Sequence, residues 1–218
     1  MHFFVGYIKE FRKYIVSLQM QTIQNIMGVT FDNEQQQFMF DFEHDGADDL
    51  VHLTGDGYQV EAFGKCFYYG YEFSEQVDGA VRTAFIKHVK FTDSLQDNPD
   101  LTQFIKKAVD NLNRRINLYD YNLVVMPESS SKVNQYMLRY MYRFAQPRLY
   151  KYEKILADEK DEQLCASIRQ QNILIIDDVT TSGSTLNEIL RTLRILNEDN
   201  KITIFSLIGR KDLMAEAM

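Results

Sequence analysis

The spacing of apolar and polar positions changes character along the chain. Phe4, Ile8, Phe11, Ile15 and Leu18 recur at three- and four-residue intervals, so residues 3–27 read as an amphipathic helix. Short alternating runs follow: Val29-Thr30-Phe31, Phe38-Met39-Phe40-Asp41-Phe42 and Val51-His52-Leu53. The Gly55-Asp56-Gly57 turn separates the last run from Tyr58-Gln59-Val60-Glu61-Ala62-Phe63, and the whole predicts a small antiparallel β region with hairpin chemistry.

Beyond residue 75 the period becomes helical. Val77, Val81, Phe85 and Val89 predict one helix, and Asn98-Pro99 reads as the N-cap and first-turn proline of a second. This second helix runs to about 116, with Leu101, Phe104, Ile105, Val109 and Leu112 on one face. Then strands and helices alternate: strand Leu123–Met126, helix 132–145, strand 147–153, and a charged, partly helical stretch at 158–169. Ile173–Ile176 is a short, wholly apolar strand, 184–197 a helix burying Leu186, Ile189, Leu190, Leu193 and Leu196, and Ile202–Leu207 a last strand. Strands apolar on both faces, set between helices, predict an α/β fold: an open, mainly parallel sheet with helices on both faces. An N-terminal α+β hood or extension, residues 1–67, would precede the α/β domain, residues 68–218.

Composition narrows the class. With 45% hydrophobic and 25% charged residues, the 218-residue chain is neither disordered nor fibrous and is long enough to bury a real core. No apolar run reaches ~18 residues, so no membrane span is expected. Lys9, Glu10, Arg12 and Lys13 interrupt the first apolar segment, which therefore does not read as a secretory signal. Cys66 and Cys165 have no metal or disulfide spacing, and His2, His44, His52 and His88 are scattered; a reducing cytoplasm is the expected location. The net charge of −7 is unevenly placed: residues 1–120 carry 11 Lys+Arg against 18 Asp+Glu, and 32–78 alone hold 12 acids against Lys65. General nucleic-acid binding, which needs a basic field, is not expected. The acidic N-terminal region is instead the expected surface for a protein partner.

The segment with the most chemistry is Ile173-Leu174-Ile175-Ile176-Asp177-Asp178-Val179-Thr180-Thr181-Ser182-Gly183-Ser184-Thr185. It reads as a buried parallel strand ending in two acids, then a hydroxyl-rich turn with one glycine, then a helix start. Ligands of open α/β sheets sit beyond the carboxyl ends of strands, and free N–H groups at a helix start favour a phosphate. Thr181, Ser182, Ser184 and Thr185 add hydroxyl donors, and Gly183 permits close approach. Neighbouring carboxylates suit sugar hydroxyls or Mg²⁺. The combined demand is a phosphorylated sugar with free vicinal hydroxyls. A plain capped turn would explain the hydroxyls but not the two acids.

Four aliphatics followed by D-D-x-x-T-x-G-x-T resemble the phosphoribosyl-pyrophosphate (PRPP) signature of type I phosphoribosyltransferases. The resemblance implies the Rossmann-like version of the fold, with Asp177 and Asp178 at the ribose hydroxyls and 181–185 around the 5′-phosphate. It implies Mg²⁺ bound with PRPP, held by Asp177 and Asp178 mostly through PRPP and water. About 50 residues upstream, Leu123–Lys132 (LVVMPESSSK) is strand, loop, then helix, where this family keeps its pyrophosphate loop. That carries Glu128, Ser129, Ser130, Ser131 and Lys132 to the diphosphate, with Lys132 counted beside the two acids as catalytic. A serine-rich helix cap with a solvated lysine is the alternative for this segment. Lys151 and Lys154 are further candidate cations; the resemblance places a mobile loop at 154–168, although this polar, charged and glycine-free stretch reads better as a solvated helix.

Residues 68–91 are similar to the segment before the pyrophosphate loop in the ComF branch, where a helix ends in a Lys–aromatic pair, here Lys90-Phe91. Val133-Asn134-Gln135 echoes a further run of that branch. Some purine-using relatives carry an acid where this chain has Thr181. The implied reaction transfers the phosphoribosyl group of PRPP to a nitrogen of a small, nucleobase-like acceptor, releasing pyrophosphate. The acceptor pocket is expected near 207–211 and part of 1–67, although Phe38, Phe40, Phe42, Phe63, Phe67, Tyr68 and Tyr69 read better as hairpin core. Alternative expectations are a non-catalytic PRPP- or nucleotide-sensing regulator, or an accessory effector of a bacterial system such as antiviral (retron-type) defence. A homodimer is one expectation for assembly.

Overall fold

The computed structural model describes residues 26–32, 37–44, 47–55, 57–62, 65–74, 77–91, 98–127, 131–144, 147–152, 168, 170–196 and 199–209. In chain order the strands are β1 (Ile26–Asp32), β2 (Gln37–His44), β3 (Ala47–Thr54), β4 (Tyr58–Ala62), β5 (Lys65–Phe73), β6 (Leu123–Pro127), β7 (Arg148–Tyr152), β8 (Asn172–Val179) and β9 (Lys201–Ile208). The helices are α1 (Gly79–Phe91), α2 (Pro99–Asn113), α3 (Lys132–Met141) and α4 (Ser184–Leu196). Five strands run parallel in the order β5-β9-β8-β6-β7. The antiparallel meander β1-β2-β3 joins the same sheet through β5. No helix among the described residues is long and apolar enough to cross a membrane.

Burial follows the strand period. Leu174 and Ile176 of β8 pack with Phe85 and Val89 of α1, Phe104 and Ile105 of α2, and Val133 and Met137 of α3. Ile173 and Ile175 point the other way, onto Leu186, Ile189, Leu190 and Leu193 of α4. Helices thus cover both faces, as the wholly apolar Ile173–Ile176 run requires. In α2, Asn98 accepts the Leu101 N–H at 3.0 Å and Pro99 occupies the first turn, as the sequence indicates. A cap of this kind contributes about 1 kcal/mol. The helix stops at Asn113, short of 116, because the Arg115 N–H tightens onto the Leu112 carbonyl, three residues back.

The β region differs from its expected form in one respect. β4 does not fold back on β3 across the Gly55–Gly57 turn; it pairs antiparallel with β5, from Tyr58↔Tyr69 to Ala62↔Lys65. β3 meets β5 only at Leu53↔Phe73 and Thr54↔Glu72. Gly57, at φ +80°, turns the chain away from β3, and a Cβ there would lie 3.3 Å from that of Asn111 on α2. The expected helix over 3–27 lies outside the described residues except for Ile26 and Met27, which belong to β1. The division after residue 67 falls inside β5.

Aromatic packing fastens the meander to the helices. Phe104 stands edge-on to Phe38 and Phe40, with ring centres 5.0 and 5.2 Å away, and stacks on Tyr71 at 4.0 Å. The Tyr71 hydroxyl donates to the Phe104 carbonyl at 2.9 Å. Each such ring pair adds about 1 kcal/mol beyond its buried area. Phe38, Phe40, Phe67 and Tyr69 are almost wholly buried, so these aromatics are core. Phe42 and Phe63 lie outside the described side chains.

Candidate functional site

Strand β8 continues past Ile176, and this changes how the two acids are presented. Asp177 pairs with Ser206 and Val179 with Ile208 in parallel register with β9. The acids therefore lie within the strand rather than after it, and successive side chains of a strand point to opposite faces. Asp178 is wholly buried on the face of α1–α3, where its Oδ1 lies 3.0 Å from the Lys90 ammonium. The same oxygen accepts the Val179 N–H at 2.7 Å, while Oδ2 has no hydrogen-bond partner. Asp177, 7% exposed, accepts the Asp178 N–H at 3.0 Å. Burial, reinforced by the Asp178 charge, pushes the Asp177 carboxyl up to about 7; Lys90 and the backbone N–H pull less strongly the other way.

A buried hydroxyl chain holds the end of the strand. The Thr180 N–H donates to the Ile208 carbonyl at 2.9 Å. The Thr180 hydroxyl donates to Ser206 Oγ at 2.9 Å, and Ser206 Oγ donates to the Ile208 carbonyl at 3.1 Å. Beyond this staple the chain turns outward. Ser182, Ser184 and Thr185 are exposed, Thr181 is half-buried and Gly183 is buried. Gly183 adopts φ +69°, a left-handed conformation that any side chain would strain, and its carbonyl accepts the Asn187 N–H at 2.8 Å to start α4. Ser182 Oγ donates to Ser184 Oγ at 3.1 Å. Exposed hydroxyls thus ring the start of a 13-residue helix, whose first N–H groups have no partner within it.

The second loop leaves the neighbouring strand. β6 pairs with β8 in parallel, with Leu123↔Ile173, Val124↔Leu174 and Val125↔Ile175. Two residues beyond the last of these pairs, β6 reaches its end at Pro127 and β8 reaches Asp177. β6 and β8 are therefore neighbours in the sheet. The helices that follow them, α3 and α4, cover opposite faces of the sheet. Adjacent strands whose crossovers diverge in this way make a topological switch point, the crevice where open α/β sheets bind ligands.

Within this crevice Ser131 is buried at the N-cap of α3 and Lys132 is exposed at its first position. Glu128, Ser129, Ser130 and Lys154 lie outside the described residues, as does the expected loop 154–168 apart from Ile168. Lys151 sits on β7 opposite Met126, one strand further from β8 than β6 is. Two groups carry no assignment from the motifs but belong to this region. Lys90 is one; its place in a Lys–aromatic pair was the only sequence signal, and nothing local tells that it reaches Asp178. Asn134 is the other, buried in the first turn of α3 with neither amide atom bonded.

The donor set fits a divalent cation carried in by a ligand. Asp178 Oδ2 is a buried acceptor without a partner, and Asp177, the residue before it on β8, is a second carboxylate near the end of the strand. Among the described residues no group of three or more His, Cys, Asp or Glu is arranged to hold a metal ion by itself. Mg²⁺ is commonly held this way, by one or two carboxylates plus phosphate oxygens and water.

No protein-family model matches the chain, and a search of curated proteins gives no match. Similar solved structures include phosphoribosyltransferases. One is a hypoxanthine-guanine-xanthine phosphoribosyltransferase, at 16% identity and TM-score 0.39, covering 52% of this chain and 64% of that one. Another is the HGPRT-ase of Leishmania tarentolae in complex with GMP, at 15% identity and TM-score 0.33, covering 51% and 65%. A third is a purine phosphoribosyltransferase from Pyrococcus horikoshii Ot3, at 13% identity and TM-score 0.31, covering 50% and 85%. The likeness thus spans half of this chain and less than two thirds of the first two.

Proposed function

We propose that this chain binds PRPP with Mg²⁺ and transfers the phosphoribosyl group to a nitrogen of a small, nucleobase-like acceptor. One observation carries the reading: β8, which bears the acid pair and leads to the hydroxyl-ringed helix start, is hydrogen-bonded in parallel to β6, and the helices after the two strands cover opposite faces of the sheet. A ligand reaching across this crevice would meet carboxylates in its middle and anion-binding helix starts on both sides. In this reading the N–H groups and hydroxyls of 181–185 hold the 5′-phosphate. Asp177 and Asp178 accept from the ribose hydroxyls, and 128–131 with Lys132 face the diphosphate.

Bound Mg²⁺, held by the acid pair through PRPP and water, would offset charge on the diphosphate. The acceptor nitrogen supplies its lone pair to the anomeric carbon as the bond to the diphosphate oxygen breaks, and pyrophosphate leaves with that electron pair. Positive charge builds on the sugar ring in between, so the protein's task is orientation and electrostatic stabilisation. Thr181 is neutral and does not serve as a base toward the acceptor, which favours an acceptor that loses its proton readily. Calorimetric titration with PRPP, with and without Mg²⁺, tests the reading. Saturable Mg²⁺-dependent binding that Asp177→Asn with Asp178→Asn abolishes is expected; absence of binding to the wild-type chain refutes it.

A second reading, a PRPP or nucleotide sensor, draws on the neutral Thr181 and on the engagement of Asp178 by Lys90. Pyrophosphate release across a panel of nucleobases separates the two. Release with any base supports the transferase, and saturable binding with silence across the panel supports the sensor.

A further inference from the structure

The acid pair has a counter-charge from outside both motif segments. Lys90 stands in the last turn of α1, with its ammonium 3.0 Å from Asp178 Oδ1 and its side chain 30% exposed. Asp178 is wholly enclosed, and its Oδ1 is doubly engaged, by Lys90 and by the Val179 N–H. These two bonds fix the plane of the carboxylate. They leave Oδ2, buried and without a partner, as its one uncommitted acceptor. An acceptor committed to nothing in the protein is costly to bury, and is retained where a ligand completes it. A carboxylate with one anchored and one spare oxygen is what a site for a sugar hydroxyl needs.

We propose that Lys90 is the positioning residue of the ribose-hydroxyl site: it acts through Asp178, orienting Oδ2 toward the sugar, and does not touch the diphosphate. This rests on the PRPP reading above and adds to it a residue from α1. Because α1 precedes β6 and shares its face of the sheet with α3, the acid pair is tuned from a different part of the chain than either phosphate loop.

The test compares three ligands, PRPP, ribose 5-phosphate and inorganic pyrophosphate, each titrated with Mg²⁺ into the full-length wild type, Lys90→Met and Lys90→Arg. Lys90→Met is expected to weaken PRPP and ribose 5-phosphate by the same factor, about tenfold, the size of one charge-assisted hydrogen bond. Pyrophosphate binding is expected to stay unchanged, and Lys90→Arg to recover most of the loss. Should Lys90→Met not fold, judged by circular dichroism, Lys90→Gln is read in its place with the same expectations. A loss confined to PRPP and pyrophosphate would place Lys90 on the diphosphate and overturn the proposal. A lower melting temperature with all three affinities intact would show a purely structural ion pair and overturn it equally. If the wild type itself binds no PRPP, the PRPP reading falls first and this inference with it.

Discussion

Asp177→Asn should stabilise the ligand-free protein at alkaline pH while removing its affinity for PRPP. The carboxyl is raised from the ordinary 3.8 to about 7 by burial and by the neighbouring Asp178. For an acid raised on folding, the folded state holds the proton more tightly than the unfolded chain. Its contribution is complete below the unfolded value, falls as pH climbs from about 4, and is fully lost above about 7. A rise of some three units corresponds to at most about 4 kcal/mol at pH 8. Asparagine carries no charge to bury and keeps an oxygen for the Asp178 N–H, now held at 3.0 Å. The expected gain is therefore about 2–4 kcal/mol at pH 8 and close to none at pH 4. Urea unfolding of both proteins at pH 4, 6 and 8 without Mg²⁺ measures it. If the two stability-against-pH curves run parallel, or the variant is less stable at pH 8, the account of Asp177 is wrong. A gain in stability with a loss of binding would mark Asp177 as a residue kept for a ligand.

Three other substitutions probe the frame around the site. Gly183→Ala puts a Cβ on a left-handed φ of +69° and should cost about 1–2 kcal/mol by urea unfolding, with a larger relative loss in PRPP titrations. Gly70→Ala would set a Cβ 2.7 Å from that of Ala108 and 2.9 Å from the Leu207 carbonyl, inside the contact of β5 with α2. Neither backbone nor methyl can swing away, so about 1–3 kcal/mol should be lost, read as a lower urea midpoint with unchanged slope. Phe104→Ala removes the ring shared by Phe38, Phe40 and Tyr71 and should cost about 3–5 kcal/mol, with near-ultraviolet dichroism reporting the loss of aromatic packing.

The parts of this molecule legible in its sequence are those fixed by local chemistry. The wholly apolar Ile173–Ile176 run gave away a strand covered on both faces, and Asn98-Pro99 a helix start, because each signal needs only neighbouring residues. The strand and the helix flanking each candidate segment were equally local signals, and β6 and β8 prove to be neighbours in the sheet. Long-range partners were not legible. Tyr58–Ala62 had two strands to choose from, and its pairing with β5 rather than β3 is not marked in the neighbouring residues. Which face of the sheet each of Asp177 and Asp178 takes was not legible, because nothing local tells that the strand continues to Val179. Nothing around Lys90 announces a carboxylate 88 positions later, since their meeting depends on how α1 lies across the sheet.

β5 belongs to both halves of the sheet: it hydrogen-bonds β4 and β3 on its antiparallel side and β9 on its parallel side. A chain trimmed to begin at residue 68 would lose the first three residues of this nine-residue strand, and with them the pairing of β9 at Cys66 and Phe67. The amino end of β9, apolar at Ile202 and Ile204, would then face water with its backbone groups open to any passing strand. Gly209, whose N–H is held by the Tyr71 carbonyl at 2.9 Å, and Thr180, held by Ile208, stand next along that path toward the phosphate loop. The segment before residue 68 thus covers a strand edge and carries a surplus of carboxylates, and its removal is expected to promote self-association. Light scattering of the trimmed and full-length chains at matched concentration should show the difference before any loss of secondary structure.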